Sequence, residues 1–245
     1  MRSIGLIGGT GLDNWGFSDE AVQIETPFGG TSGSIGVFNF PTARLLFLPR
    51  HGTAHTVSPH KVNYRANLYA LHQAGAELVI AVNAVGGISS QFPPGTLVVP
   101  SQVIDYTWGR AHSFSDHADF PLLHFDFTEP FSQNLREELL RAGNDSGLDV
   151  IDGACIAVTQ GPRLETAAEI ERLEKDGSDL VGMTTMPEAA LAREIGLEYA
   201  SICVVSNWAA GKSNEPISMT EIDETMGKTV ESVRMLLLKV ISAIE

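Results

Sequence analysis

One alternation restricts the fold of this chain more than any other feature: short aliphatic and β-branched runs take turns with longer amphipathic stretches along its length. The short runs fit buried strands and the amphipathic stretches fit helices laid against them, which predicts an α/β fold with a mostly parallel or mixed sheet. The predicted strands are Ser3–Ile7, Arg44–Leu48, Leu78–Val82, Thr96–Val99, Ala154–Val158, Leu180–Met183 and Ala200–Val205. The clearest predicted helix opens at Ser58-Pro59, an N-cap and N1 pair, and runs through Leu71 to a stop near Gly75. Others cover Thr166–Lys175, Pro187–Ile195 ahead of Gly196, and about Thr220 to Ile244. No linker composition or internal repeat divides the 245 residues, so a single domain over residues 1–245 is expected.

Five predicted strands run into polar or glycine-rich segments. These are Gly8-Gly9-Thr10-Gly11, Pro49-Arg50-His51-Gly52, Asn83-Ala84-Val85-Gly86-Gly87, Thr184-Thr185 and Ser206-Asn207. Ligands of open α/β sheets collect beyond the carboxyl ends of strands, so five such ends suggest one shared site.

Composition narrows what that site can take. A net charge of -14 and the lack of any basic stripe with interleaved aromatics argue against nucleic acid as a partner. A small anion remains possible, because local N–H groups and one or two cations overcome a distant negative field. Cys155 and Cys203 sit in apolar stretches without a CxxC pair and read as buried reduced thiols. There is no signal-peptide pattern and no apolar run of membrane-spanning length, so no membrane is expected and the cytoplasm is the expected compartment.

Each motif has a plain reading beside the chemical one. Counting GxGxxG from Gly9 puts Asn14 at the third glycine, and no Lys-Ser/Thr follows, so the first cluster is neither a dinucleotide fingerprint nor a Walker loop. It is a tight turn, either plain or a holder of phosphate through its N–H groups and the Thr10 hydroxyl. His51 and His55 have the spacing of helical metal ligands, but Pro49, Gly52 and Pro59 oppose a helix and no carboxylate completes a set, so no metal is expected. Arg50 is either an exposed loop residue or an anion clamp whose fork presents donors to phosphate. Glu165 reads first as a carboxylate in the opening turn of a helix, and Asn207 as a turn residue. Neither GxSxG nor HExxH occurs.

Taken together, Gly8-Gly9-Thr10-Gly11, Pro49-Arg50-His51-Gly52 with His55, Lys61-Val62-Asn63-Tyr64-Arg65-Ala66-Asn67, Gly161-Pro162-Arg163 and Met183-Thr184-Thr185-Met186-Pro187-Glu188 resemble the trimeric purine nucleoside phosphorylase family, methylthioadenosine phosphorylase branch. The likeness covers almost the whole chain. It implies a twisted mixed β-sheet flanked by helices, a homotrimer, and cleavage of a purine nucleoside by inorganic phosphate as co-substrate, with no cofactor. It further implies a phosphate site at Thr10, Arg50, His51, Asn83, Ala84 (through its N–H) and Thr184, with catalysis carried by Arg50, His51 and Asn207. Where the family often has Thr, this chain has Asn83. Leu164, Glu165 and Asn207 would meet the base, Met183 and His55 the ribose, and Met219, Ile222 and the neighbouring subunit's His124 the 5′ group.

At the base, methylthioadenosine phosphorylases typically carry Ser, Asp and Asp where this chain has Glu165, Asn207 and Ala209; Glu and Asn there resemble 6-oxopurine phosphorylases. An ionised Glu only accepts, which suits hypoxanthine N1–H and repels the adenine N1 lone pair, while Asn donates to O6 or N7. Met219 and Ile222 stand where inosine-cleaving relatives place a His, and they suit a methylthio group. The expected substrate is methylthioinosine, cleaved to hypoxanthine and 5-methylthioribose 1-phosphate in purine salvage. Methylthioadenosine phosphorolysis, inosine or guanosine phosphorolysis, and a non-enzymatic nucleoside sensor are the competing readings.

Overall fold

A computed structural model describes residues 2–16 and 18–243. Its eleven strands form one sheet: β1 (Arg2–Gly8), β2 (Glu20–Val22), β3 (Ile35–Asn39), β4 (Ala43–Pro49), β5 (Leu78–Gly87), β6 (Leu97–Val99), β7 (Gln102–Asp105), β8 (Val150–Asp152), β9 (Cys155–Val158), β10 (Leu180–Gly182) and β11 (Glu198–Trp208). The helices are α1 (Tyr64–Gln73), α2 (Gln133–Asp145), α3 (Ala167–Lys175), α4 (Thr185–Glu194) and α5 (Met219–Ala243). Ile244, assigned to the last helix by sequence, lies outside the described residues.

The sheet is mixed, with β2-β3-β4-β1-β5-β10-β9-β7 along one path and β11, β6 and β8 branching from β5. Strand alternation sends Leu78, Ile80 and Val82 to one face with Leu139, Ile202 and Leu236, and Val79, Ala81 and Val85 to the other with Leu71, Leu191 and Val205. Helices α2 and α5 therefore cover one face, and α1 and α4 the other. Each fully buried Val, Leu or Ile among them contributes about 1.5–3 kcal/mol.

Strand β5 creates the space for a site. Its first half pairs in parallel with β1 as far as Ala81, and its last two residues, Gly86 and Gly87, pair antiparallel with β10. Between them that edge of the strand has no neighbour in the sheet. Along the opposite edge β11 runs parallel to β5, with a register shift between Val205 and Asn207 that leaves Ser206 as an extra residue.

The structure departs from the sequence expectations at several ends. Ser58-Pro59 opens only a 3-10 turn over Pro59–Lys61; α1 starts after Asn63, whose side chain accepts from the Ala66 amide at 3.1 Å. Helix α3 is capped by Thr166 in a capping box with Glu169, so Glu165 precedes the helix and the first-turn carboxylate is Glu169. The segments 83–87 and 206–208 belong to β5 and β11, whereas the sequence reads them as lying beyond strands. Of the two cysteines, Cys203 is buried and Cys155 only half-buried, and both are free thiols.

Candidate active site

The ends of β1, β4, β5, β10 and β11 converge on a cavity of about 380 Å³, within the range of small-molecule pockets. Its walls include Thr10, Arg50, His51, His55, Ala84, Leu164, Glu165, Met183, Thr184, Asn207, Met219 and Ile222. Two expected residues are elsewhere. Asn83 is buried behind Arg50, its Oδ1 accepting from Nη2 at 2.8 Å and its Nδ2 donating to Thr185 Oγ1 at 2.7 Å, so both ends of the amide are already engaged. His124 is exposed in the irregular segment between β7 and α2 and does not line the cavity of its own chain.

Arg50 is no exposed loop residue, being 1% accessible. Nor is its fork turned to the cavity: Nε and Nη2 donate to the two oxygens of Glu188 at 2.6 and 3.0 Å. Nη1 donates to the Val82 carbonyl at 2.9 Å, on the open edge of β5. Counting Asn83, four of the five guanidinium hydrogens are placed, leaving one on Nη1. Burial opposes the charge on Arg50, but Glu188 outweighs it, and the guanidinium pKa lies above its ordinary value. Tyr199 closes the cluster by donating to Glu188 at 3.0 Å. The close approach requires Gly9, where a Cβ would stand 2.6 Å from Arg50 Nη1 and 2.5 Å from the Val82 carbonyl.

Because strand residues two apart present their backbone groups to the same edge, Ala84 N–H faces the same opening as the Val82 carbonyl. Thr10 is held beside it by the turn in which Leu12 N–H donates to the Gly9 carbonyl at 2.9 Å. His51 donates from Nδ1 to the Val57 carbonyl at 2.7 Å, leaving Nε2 for a ligand. Burial first, and the Arg50 charge second, push its pKa down to about 4, so the ring is neutral at pH 7. His55 stacks obliquely 4.8 Å from it and is held by Asp13 Oδ1 at 2.7 Å, with an unusual φ of 50°. Among the described residues no group of three or more His, Cys, Asp or Glu side chains could hold a metal ion.

At the other end, Glu165 Oε1 accepts from Thr159 Oγ1 at 2.5 Å, leaving Oε2 for a ligand. Asn207 Nδ2 donates one hydrogen to the Trp208 carbonyl at 2.8 Å, which fixes the orientation of the amide and leaves the second hydrogen unspent. Met183 also lines the cavity, backed by Gly161, whose φ of 62° and missing Cβ admit Met183 Sδ; a Cβ there would stand 2.5 Å from the sulfur. Ile217, Met219 and Ile222 make an apolar wall in which Ile222 is buried and Met219 is 62% exposed at the rim. Glu188, Thr159 and Ile217 are among the residues to which the sequence reading assigns no role. Glu188 was within reach of it, since a lone Glu inside an apolar, buried helix start needs a cationic partner.

The cavity therefore combines oxyanion-type donors at one end with a paired acceptor and donor at the other. Comparison with known proteins identifies the family of the chain. The sequence profile of the Phosphorylase superfamily matches residues 3–242. A Xylella fastidiosa (strain Temecula1) protein named "Probable S-methyl-5'-thioinosine phosphorylase" is 50% identical, over 98% of this chain and 99% of its own. A protein of the same name from Pseudomonas syringae pv. tomato is 46% identical, over 99% and 100%. The methylthioadenosine phosphorylase of Schistosoma mansoni, solved in complex with adenine, superposes with a TM-score of 0.94 at 33% identity, covering 100% of this chain and 92% of that one. With a profile match over nearly its full length and relatives at half identity, this chain belongs to the Phosphorylase superfamily.

Proposed function

We propose that the protein cleaves S-methyl-5′-thioinosine with inorganic phosphate, giving hypoxanthine and 5-methylthioribose 1-phosphate. The observation that carries this reading is the presence of Glu165 and an oriented Asn207 in one cavity with an apolar wall of Ile217, Met219 and Ile222. The remaining Glu165 oxygen accepts from hypoxanthine N1–H, and the remaining Asn207 N–H donates to N7 or O6. An adenine ring would turn its N1 lone pair toward the carboxylate. The apolar wall suits a thioether in place of a hydroxyl.

Phosphate is assigned to Thr10, the last Nη1 hydrogen of Arg50, His51, the Ala84 N–H and Thr184. Since the Arg50 charge is balanced by Glu188, this end binds by directed donors more than by net charge. With its Nδ1 hydrogen given to Val57, neutral His51 meets phosphate as an acceptor at Nε2 and pairs with a phosphate O–H. In the reaction a phosphate oxygen forms a bond to C1′ as the C1′–N9 bond breaks. The electron pair passes to the purine, where the Asn207 hydrogen bond at N7 stabilises it until the proton given up by the phosphate O–H reaches the ring through water, and the anion beyond the sugar stabilises the positive ribose. Met183 forms the floor on which the sugar is held.

The same reading has the enzyme act in the cytoplasm as a homotrimer, with His124 of one subunit reaching its neighbour's 5′ pocket. Exposed Leu122, Leu123 and Phe125 beside His124 support a surface that another subunit covers. The exposure of Met219 favours one second reading, 6-oxopurine nucleoside phosphorolysis, because an open 5′ end also accommodates a hydroxyl. Comparing kcat/KM on methylthioinosine, methylthioadenosine and inosine, with and without phosphate, tests both. Preference for methylthioadenosine defeats the base assignment, preference for inosine defeats the methylthio wall, and binding without phosphate-dependent release of hypoxanthine favours a sensor.

A further inference from the structure

Arg110 stands in the irregular segment after β7, and its guanidinium ties together parts of the cavity scaffold that are far apart in sequence. Nη1 donates to the carbonyls of Met186 at 2.6 Å and Met183 at 2.8 Å, and reaches the Tyr64 hydroxyl at 3.3 Å. Nη2 donates to the carbonyls of Gln160 at 2.9 Å and Thr159 at 3.2 Å, while Nε reaches Gln160 Oε1 at 3.2 Å. The group spans the ends of β9 and β10, whose ladder runs out at Val158 opposite Gly182. Past that point no strand pairing holds the two segments at a fixed spacing, and their carbonyls need donors.

What Arg110 joins are two walls of the candidate active site. Met183 is the sugar floor, and Thr159 donates its amide hydrogen to the Gly182 carbonyl at 2.8 Å and its hydroxyl to Glu165 at 2.5 Å. The Arg110 guanidinium also lies 5.3 Å from the ring centre of Tyr64, whose hydroxyl donates to the carbonyl of Pro59, a further wall residue, at 2.7 Å. We propose that Arg110 is a positioning residue for nucleobase choice: by clamping the ends of β9 and β10 it sets where the Glu165 carboxylate stands relative to the sugar floor, and so which purine edge it meets. The planar fork is essential, because a lysine ammonium offers donors from one point and cannot bridge both strands. This inference rests on the assignment of Glu165 to the base.

The test uses the full-length enzyme as wild type, Arg110→Lys, Thr159→Val and the double variant. For each, kcat/KM is measured on methylthioinosine and methylthioadenosine, along with the KM for phosphate and the thermal midpoint. Arg110→Lys is expected to lower the methylthioinosine-to-methylthioadenosine ratio at least tenfold and to raise nucleoside KM, with phosphate KM within twofold of wild type. Thr159→Val lowers the ratio in the same direction, and the double variant is no worse than Arg110→Lys alone, since both act through one chain of contacts. A ratio unchanged within twofold in folded Arg110→Lys overturns the proposal, as does an equal loss on both nucleosides and phosphate, which marks a structural prop. If Arg110→Lys does not fold, an unchanged ratio in Thr159→Val overturns it. A wild-type enzyme that prefers methylthioadenosine refutes the substrate assignment by itself; the shift of its ratio by both substitutions then still decides the role of Arg110.

Discussion

Replacing Glu165 with Gln isolates the base-recognition argument, because Thr159 limits how the new amide can sit. With the Thr159 hydroxyl donating to Oε1 at 2.5 Å, an amide that keeps this contact turns Nε2 to the cavity and opposes hypoxanthine N1–H with another donor. That loses a hydrogen bond to a charged group, about 1.5–3 kcal/mol, and leaves polar groups unpaired at about 1–3 kcal/mol more. The alternative is for the amide to flip and for Thr159 to donate to the Gly182 carbonyl instead, at 3.5 Å. So long a contact is weak, and the flip costs about 1 kcal/mol on top of about 1 kcal/mol for exchanging a charged acceptor for a neutral one. The flipped route sets the floor: kcat/KM on methylthioinosine is expected to fall at least ~30-fold, at about 1.4 kcal/mol per factor of ten. Activity on methylthioadenosine should hold or rise. Ultraviolet assays of hypoxanthine and adenine release on purified variant and wild type read both numbers. A change below threefold in their ratio would show that Glu165 does not meet the six-membered edge of the purine.

Asn207→Asp should lower methylthioinosine turnover by about 10- to 100-fold and shift preference toward 6-aminopurines, because a carboxylate loses the donor and faces the Trp208 carbonyl now 2.8 Å from Nδ2; unchanged selectivity in the same assays removes Asn207 from the base site. Glu188→Ala leaves Arg50 buried without its counter-charge and should cost about 3–5 kcal/mol in urea unfolding, where a loss below 1 kcal/mol would contradict the buried pair. Arg50→Ala should raise phosphate KM far more than nucleoside KM, and equal losses would mean that its role is structural. His51 titrates near 4 folded against an ordinary 6.5, so the unfolded chain binds the extra proton between those values. The fold accordingly loses stability as pH falls from 6.5 toward 4, by on the order of 3 kcal/mol from this residue. Denaturant midpoints across that range should fall less steeply in His51→Gln, and parallel curves would refute the assignment.

Part of the candidate site was legible because its residues sit in short motifs whose chemistry is local, Thr10 in a glycine turn and Arg50-His51 after a strand, whereas Glu165 and Asn207 stood out only through the family resemblance. What a linear reading cannot weigh is tertiary pairing. Asn83, Gly86 and Gly87 have weak strand preference and look like a loop, yet β11 and β10 hold them in β5. The hairpin of β2 and β3 is hard to see for the related reason that β2 is three residues long and carries no apolar alternation. Helix α2 was visible in principle, with Ser132 as cap and Leu135, Leu139 and Ala142 on one face. The phosphate fork failed in detail because Glu188, within a motif that itself suggested the family, takes the two donors that face outward in an isolated arginine. Arg110 has no local signature, since its partners are mostly backbone carbonyls contributed by residues 159, 160, 183 and 186.

The extra residue at Ser206 has a consequence for how such a chain can diversify. Val205 stands opposite Val85 and Asn207 opposite Gly86, so the extra residue bends β11 without changing which surface its neighbours face; deleting it would straighten the strand and withdraw the bend that aims Asn207. Loss of that one residue would then misaim the proposed base contact while the pairing of the sheet stayed intact, whereas point changes at 165 or 207 would keep the aim and alter only the chemistry. New nucleobase preferences in this scaffold should accordingly arise by exchange of side chains, with the length of that strand held constant.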